Sequence, residues 1–127
     1  MTVKKNKTKK EQLQNKWNQN VKPDLVLDFY HNIPFTFTGI VHTKKDSYYR
    51  WFDNGELHRL DGPAVVSASQ HILCEWWVEG MRHRLDGPAH ISSFEEKYYI
   101  NNVQYSIEDY MKHPLTIKFT MNSILDQ

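Results

Sequence analysis

A tandem repeat constrains the fold of this chain more than any other feature of its sequence. Residues 50–67 align without gaps on residues 75–92, at an offset of 25 residues, and ten of the 18 positions are identical. The identical positions include the run His-Arg-Leu-Asp-Gly-Pro-Ala, which occurs at 58–64 and again at 83–89. A duplicated segment of this kind indicates one supersecondary unit present in two copies.

Each copy has the residues of a β-hairpin followed by a second tight turn. Asn54-Gly55 is a strong two-residue hairpin signal, and Glu79-Gly80 and Asn101-Asn102 occupy the same place in the later segments. Asp-Gly-Pro then predicts a turn, because Asp bonds its own backbone, Gly is permissive in φ and Pro fixes φ. The structural repeat motif is assigned to Gly55, His58, Asp61, Gly62, Pro63, Gly80, His83, Asp86, Gly87 and Pro88.

This pattern predicts a mainly β fold, an antiparallel β-meander built of hairpin repeats with a short C-terminal helix. Ser106 and Asp109 resemble a capping box, so residues 107–113 are expected to form that helix, and the alternating residues 115–120 one more strand. The predicted organisation is one β-repeat domain over 23–127, with a degenerate repeat at 31–47, full repeats at 48–72 and 73–96, and a degenerate capping repeat with the helix at 97–127.

The lysine-rich N-terminus differs in charge from the rest of the chain. Residues 1–16 contain six lysines and one acid, whereas the remainder has 10 basic and 14 acidic residues. Because like charges repel, residues 1–22 are predicted to be a flexible basic arm, able to contact the phosphates of nucleic acid. The alternative is a short helix around 11–18 that Pro23 ends.

Composition excludes several classes of protein. A chain of 127 residues fits one domain, and its single cysteine, Cys74, allows no intramolecular disulfide and no cysteine-based zinc site. No apolar run approaches the roughly 18 residues that a membrane span needs. No apolar region follows the first lysines as it would in a signal peptide. We therefore expect a cytoplasmic protein without a membrane span.

The repeated unit resembles a known repeat type. Trp51, Gly55 and the run 58–64, with their copies between 76 and 89, are similar to the aromatic, Gly and His-Arg-x-Asp-Gly-Pro-Ala repeats of small phage and bacterial proteins. Those repeats are in turn similar to variants of the MORN repeat, which consists of short β-hairpins around aromatic and glycine positions. The resemblance implies an interaction module.

Chemical interpretations of the motif compete with a structural one. A motif present twice suits a turn, whose polar side chains satisfy nearby backbone groups, better than an active centre. A metal site would draw on His42, His58 and His83, which fall at equivalent repeat positions in the alignment, with His31, His71 and His90. Acid–base catalysis by a His–Asp pair has no nucleophile elbow or phosphate loop beside it. No catalytic residue, metal or cofactor is therefore predicted.

Partner recognition is the remaining interpretation. Adjacent strand residues point to opposite faces, so a small sheet is expected to expose one face lined by aromatic and arginine side chains. These residue types are enriched at binding hot spots. The candidate partner-binding residues are Trp51, Arg59, Trp76, Trp77, Arg84 and Tyr99.

The sequence thus predicts a non-enzymatic protein-binding module. The resemblance to phage proteins extends this to a phage-encoded inhibitor of a host enzyme or defence system, acting in the host cytoplasm. The alternative is a nucleotide- or nucleic-acid-binding module, in which aromatic side chains stack on bases while arginines and the lysine arm contact phosphates. A third class is a self-assembling protein, since β edges can pair between copies to give a homo-oligomer.

Overall fold

The computed structural model describes residues 6–29 and 33–126. The helices of these residues are α1 (Lys9–Asn18), α2 (Ile107–Lys112) and α3 (Pro114–Leu125). The strands are β1 (Leu25–Leu27), β2 (Gly39–Thr43), β3 (Tyr48–Asp53), β4 (Glu56–Leu57), β5 (Val65–Ser67), β6 (Leu73–Glu75), β7 (Trp77–Val78), β8 (Met81–Arg82), β9 (His90–Ser92), β10 (Glu96–Ile100) and β11 (Val103–Tyr105).

One mixed sheet forms the centre of the fold. Its strand order is β1-β2-β3-β5-β6-β9-β10-β11, with β4 paired to β3 beside this path. β1 runs parallel to β2, and the other strand pairs of the described residues are antiparallel. The prediction of a mainly β fold with a C-terminal helix is confirmed, but the sheet is mixed rather than wholly antiparallel.

The chain leaves this sheet between β6 and β9. Glu75, at the end of β6, pairs with His90 of β9, whereas Trp77, two residues later, pairs with Arg82 of β8. β7 and β8 therefore form a small separate hairpin. The main sheet therefore follows the order of the chain but leaves β4, β7 and β8 out of its path, which a plain meander would not do.

The predicted two-residue turns are confirmed. Their central residues have positive φ in each hairpin, at 49° and 82° for Asn54 and Gly55, 50° and 76° for Glu79 and Gly80, and 47° and 68° for Asn101 and Asn102. Positive φ at both central positions is the type I′ turn, whose twist matches that of the flanking strands. Gly55 is also required for space, because a Cβ there would collide with the backbone carbonyl of Phe35.

The core lies between the sheet and α1. Neighbouring strands contribute Val66, Cys74 and Ile91, and two α1 side chains one helical turn apart, Leu13 and Trp17, pack against this cluster. The Cys74 thiol is buried, and burial raises its pKa to about 12. This cysteine is therefore a core side chain rather than a reactive nucleophile.

Part of the predicted basic arm is a docked helix. The amide of Gln14 in α1 is buried, donates to the carbonyls of Ser69 and His71 at 3.0 and 3.1 Å, and accepts the N–H of Leu73 at 2.8 Å. These bonds satisfy the backbone of the β5–β6 loop. Residues 9–18 thus pack on the sheet instead of forming a flexible arm, while the first five residues, including two of the lysines, lie outside the described residues.

The C-terminal segment is helical throughout. α2 was predicted, and the Ser106 hydroxyl caps it by accepting the N–H of Asp109 at 3.1 Å. The prediction of a strand over 115–120 is wrong, because these residues belong to α3. Pro114 occupies the first turn, where its missing N–H costs no bond, and His113 Nδ1 accepts the N–H of Leu115 at 3.1 Å. In the described ranges, no helix has the length and apolar character needed to cross a bilayer.

Tyr110 attaches α2 to the second Asp-Gly-Pro turn. Its hydroxyl donates to the carbonyl of Arg84 at 2.7 Å and accepts the N–H of Gly87 at 3.2 Å.

We expect Tyr110→Phe to lower the free energy of unfolding by about 1–3 kcal/mol, because it leaves partly buried backbone groups unpaired. Urea unfolding measures this. Tyr98→Phe is the control, since the Tyr98 ring packs on Tyr110 at 4.7 Å; equal losses in the two variants would contradict the assignment.

Candidate binding groove between the motif turns

The second copy of the motif is organised around the guanidinium of Arg84. Its Nε donates to the Asp86 carboxylate at 2.9 Å, and its Nη1 donates to the carbonyl of Pro88 at 3.0 Å. The guanidinium also lies 3.8 Å from the ring centroid of Trp76. Lysine cannot reproduce this planar, forked arrangement, so the motif requires arginine.

The first copy repeats these contacts. Arg59 donates from Nε to Asp61 at 2.8 Å and from Nη1 to the carbonyl of Pro63 at 3.3 Å, and its guanidinium lies 4.1 Å from the centroid of Trp51. The hydrogen bond from Arg59 holds the pKa of Asp61 below its usual value. Trp17 of α1 adds a second ring at 5.0 Å. The arginines predicted to bind a partner therefore already have intramolecular partners.

Each motif histidine accepts a hydrogen bond from the hairpin that follows it in the chain. Nδ1 of His58 accepts the N–H of Glu79 at 2.9 Å, and Nδ1 of His83 accepts the N–H of Asn101 at 3.0 Å. Both donors are the first central residue of a type I′ turn. The bond requires an unprotonated Nδ1, and burial lowers the pKa of His83, which favours the neutral ring.

Thr38 takes the place of the motif histidine in the upstream segment. Its Oγ1 accepts the N–H of Asn54 at 2.9 Å, in the same way as the histidines hold the later turns. His42 instead stacks on Tyr49, with ring centroids 4.6 Å apart. The predicted equivalence of His42 with the motif histidines is wrong, because the pattern of aromatic, Gly and His residues misplaced the register of this segment.

The structure brings no metal-binding group together in the part of the chain that it describes. Across residues 6–29 and 33–126 there is no cluster of three or more His, Cys, Asp or Glu side chains placed to hold an ion. His31, which the metal interpretation included, lies outside the described residues.

Trp77 and Tyr99 belong to a different arginine cluster. The Arg82 guanidinium lies 4.8 Å from the Trp77 centroid and 5.4 Å from that of Tyr99. Arg82 also pairs with the buried Glu75 at 3.3 Å, and His90 Nδ1 lies 2.8 Å from the same carboxylate. Sequence reasoning missed this cluster. Its one signal was an acidic residue within an apolar run, which is unusual unless a cation pairs with it.

A groove of about 460 Å³ lies between the two motif turns. Three of the candidate partner-binding residues line it, namely Arg59, Trp76 and Arg84. Trp17 of α1 and Phe119 of α3 contribute further walls. Helices on either side of the repeats thus complete a concave surface that neither repeat has alone, and concavity is typical of binding sites.

The leucines of the two motifs differ in exposure at this groove. Leu60 is 81% exposed, whereas its copy Leu85 is partly buried. Leu85 also lines a neighbouring cavity of about 410 Å³ that has Tyr110 of α2 and Phe119 of α3 in its walls. Helices α2 and α3 therefore shield Leu85 of the second motif but not Leu60 of the first, beside which α1 places Trp17.

The charges that remain accessible at the groove are mainly carboxylates. The side chains of Asp61 and Asp86 are 84% and 60% exposed, but those of Arg59 and Arg84 only 14% and 16%. The exposed Lys16 of α1 also lines the groove. A molecule entering the groove would therefore meet apolar surface bordered by two carboxylates and one ammonium group, with the guanidiniums less exposed than the carboxylates.

Comparisons with protein-family models, with curated proteins and with solved structures found no match for this chain.

We expect the free energy of unfolding to decrease as the pH falls below about 6.5, the ordinary pKa of histidine. The pKa of folded His83 lies below that value, so the unfolded chain binds the proton first, and the stability present at higher pH is lost as the pH falls toward the folded pKa. His83→Asn keeps an acceptor for the Asn101 N–H without titrating. It should therefore lose less stability than the native chain between about pH 7 and pH 5.

Urea unfolding at a series of pH values tests this expectation. His71→Asn is the matched control, because it removes the same ring at an exposed position outside the motif. A pH dependence in His83→Asn identical to that of the native chain would count against the neutral acceptor role.

The guanidinium contacts also predict the effect of a conservative change. We expect Arg84→Lys to cost about 1–3 kcal/mol of unfolding free energy, since the ring stack and the forked hydrogen bonds are both lost. Arg59→Lys should give a comparable loss because its contacts are the same. Chemical denaturation measures both variants, and losses within error of zero would show that the stacks add nothing to the fold.

Proposed function

We propose that this chain is a non-enzymatic protein-binding module that receives an apolar segment of its partner in the groove between the motif turns. In this proposal the 25-residue units are repeats of one β-hairpin scaffold, and the groove lies between their turns. The observation that carries the proposal is the exposure of Leu60, at a motif position whose copy is shielded by a helix of the chain itself.

The contrast between Leu60 and Leu85 supports this choice of surface. A single exposed leucine is ordinary on a protein surface. Here, however, Leu60 lies beside Trp17 and Trp76 in the wall of a groove, and α2 and α3 already cover the equivalent leucine. A partner segment over Leu60 would complete the first motif in the same way. Burying it and the adjoining rings is the kind of contact that dominates interface energies.

The accessible charges indicate what else the partner segment carries. Asp61 and Asp86 border the groove together with Lys16, and both aspartates are ionised at neutral pH because the ordinary pKa of an aspartate lies about three units lower. The hydrogen bond from Arg59 lowers the pKa of Asp61 further. Cationic groups on either side of the apolar residue would complement these carboxylates. Such pairs at the rim of an interface contribute orientation and association rate more than affinity.

The arginine geometry favours a protein over nucleic acid as the partner. Arg59 and Arg84 each donate to an aspartate and to a backbone carbonyl, and each is largely covered. A phosphate at the groove would have to displace those carboxylates or lie beside them. The alternative of phosphate contacts through these two arginines therefore has less support than apolar docking.

The biological role remains part of the proposal. The resemblance of the repeats to those of phage proteins supports a small inhibitor that binds a host enzyme or defence protein. A groove-bound segment of the target would account for inhibition without any catalytic group on this chain.

The proposal is tested with Leu60→Glu, which places a third acidic group in the groove wall. The chain is used as bait in a nuclease-treated bacterial lysate, and a stoichiometrically captured protein is purified and titrated calorimetrically against each variant. We expect Leu60→Glu to weaken binding by at least about tenfold, because an apolar contact becomes a buried unpaired charge.

Phe94→Glu is the matched control, because Phe94 is also a largely exposed apolar residue but does not line the groove. It should bind like the native chain. Equal affinity of Leu60→Glu and the native chain would overturn the groove assignment, and so would capture of nucleic acid alone in a sample without nuclease.

A further inference from the structure

The cavity of about 410 Å³ between α2, α3 and the second motif turn has the size of a small-molecule site. The apolar and aromatic part of its wall consists of Leu85, Tyr98, Ile107, Tyr110, Met111 and Phe119. Ile107 and Met111 are 53% and 63% exposed although they line it. The cavity is therefore open to solvent, and a bound molecule would cover apolar surface that the chain itself leaves uncovered.

The polar part of the wall lies along one side of α3. Thr116, Thr120 and Ser123 follow the spacing i, i+4, i+7, which places them on the same side of a helix, and all three line the cavity. The hydroxyls of Thr120 and Ser123 donate to the carbonyls of Thr116 and Phe119, both at 3.0 Å. A hydroxyl has one hydrogen, so these two can offer a ligand only acceptor lone pairs.

Thr116 has a buried hydroxyl without a partner. The residue is 4% exposed, and its Oγ1 makes no hydrogen bond within the described ranges. A helical threonine ordinarily bonds a carbonyl three or four positions earlier, but Thr116 is the third residue of α3, so those positions precede the helix. Buried hydroxyls in native proteins nearly always have a partner. Threonine has two χ1 rotamers in a helix, so Oγ1 can turn toward a molecule in the cavity.

The charge of the wall favours a cation. Among the described residues that line the cavity, Asp86 is the one with a charged side chain, and that side chain is 60% exposed. Its Oδ1 accepts the Nε–H of Arg84 at 2.9 Å, and a carboxylate can accept further donors. Arg84 itself lines the groove and not the cavity. A molecule in the cavity thus meets acceptors and a carboxylate, which call for N–H donors and positive charge.

We propose that this cavity binds a small aromatic molecule that carries a protonated primary or secondary amine. Its ring packs against the aromatic side chains of Tyr98, Tyr110 and Phe119, which favour offset or edge-to-face contacts and attract a cation. Its ammonium group donates to the acceptors of the wall. A quaternary ammonium has no N–H to donate, and an anion would meet Asp86 without a cationic side chain in the wall.

This site is distinct from the groove proposed for a protein partner. Leu85, Asp86 and Phe119 line both, but Leu60 lines only the groove and Thr116 only the cavity. The inference therefore does not depend on the proposed function.

Three probes with the same indole ring test the ligand chemistry. They are tryptamine, tryptophol and indole-3-acetate, which carry an amine, an alcohol and a carboxylate, and the amine is protonated at pH 7 like that of lysine. In calorimetric titrations of the full chain we expect tryptamine to bind with a dissociation constant on the order of 100 μM or tighter. Tryptophol should bind at least about tenfold more weakly, and indole-3-acetate more weakly still.

Methyl NMR locates the bound probe. Tryptamine should shift the methyl signals of Ile107 and Met111, which line the cavity, and leave those of Leu60 in the groove unchanged.

Two variants of α3 test the site itself. Ser123→Phe fills the cavity and should abolish tryptamine binding, whereas Asn122→Phe adds the same ring at an exposed neighbouring position that does not line the cavity and should bind like the native chain. Thr116→Val replaces the unpaired hydroxyl by a methyl group of the same shape. It should raise the melting temperature yet weaken tryptamine binding about threefold or more, a combination that a merely structural threonine would not give.

Three results would overturn the proposal. The first is tryptamine binding no tighter than that of indole-3-acetate, which includes no binding of either. The second is native affinity in Ser123→Phe, and the third is a shift of the Leu60 signals in place of those of Ile107 and Met111. Leu60→Glu should bind tryptamine like the native chain, so a failure of the groove proposal and a failure of this site are separately visible.

Discussion

The arginine at the centre of each motif is the contact on which the rest of the structure depends. Its guanidinium joins a tryptophan ring, an aspartate and a carbonyl of the Asp-Gly-Pro turn, and so fixes the turn against the sheet. The helices then attach to this assembly. Trp17 of α1 lies over the first turn, where it would touch any Cβ at Gly62, and Tyr110 of α2 bonds the second turn. The first turn thus contacts a tryptophan ring of α1 and the second a tyrosine hydroxyl of α2, and the groove lies between the two turns.

Interactions between residues close together in the sequence could be predicted, whereas interactions between residues far apart in the sequence could not. The type I′ turns and the cap of α2 depend on residues within four positions of one another, and these predictions were confirmed. The docking of α1 depends on Gln14 bonds to residues more than 50 positions away. No local pattern contains that information, and the lysines around Gln14 indicated mobility instead.

At the candidate site, too, the residue types were predictable but the tertiary contacts were not. Of the six partner-binding candidates selected from the sequence, the structure places Arg59, Trp76 and Arg84 in the wall of one groove. The sequence did not indicate that the arginines point inward to aspartates, because pairing depends on the turn geometry. Phe119 was assigned to a strand because residues 115–120 alternate. The structure makes them helical instead, with Pro114 in the first turn and His113 as the N-cap. Leu60 lay within the motif but was not selected, since exposure is a tertiary property.

The hydrogen bonds that the motif histidines accept all come from residues later in the chain. Each ring holds the turn of the hairpin that comes after it, so every motif is completed by its C-terminal neighbour. The final hairpin, β10–β11, receives such a bond but has no motif of its own, and helix α2 follows it directly. An architecture of this kind can be lengthened by whole copies inserted in the middle, whereas removal of its last hairpin leaves a histidine without its donor. Insertion of whole copies is therefore compatible with these hydrogen bonds only if the closing hairpin and α2 are retained.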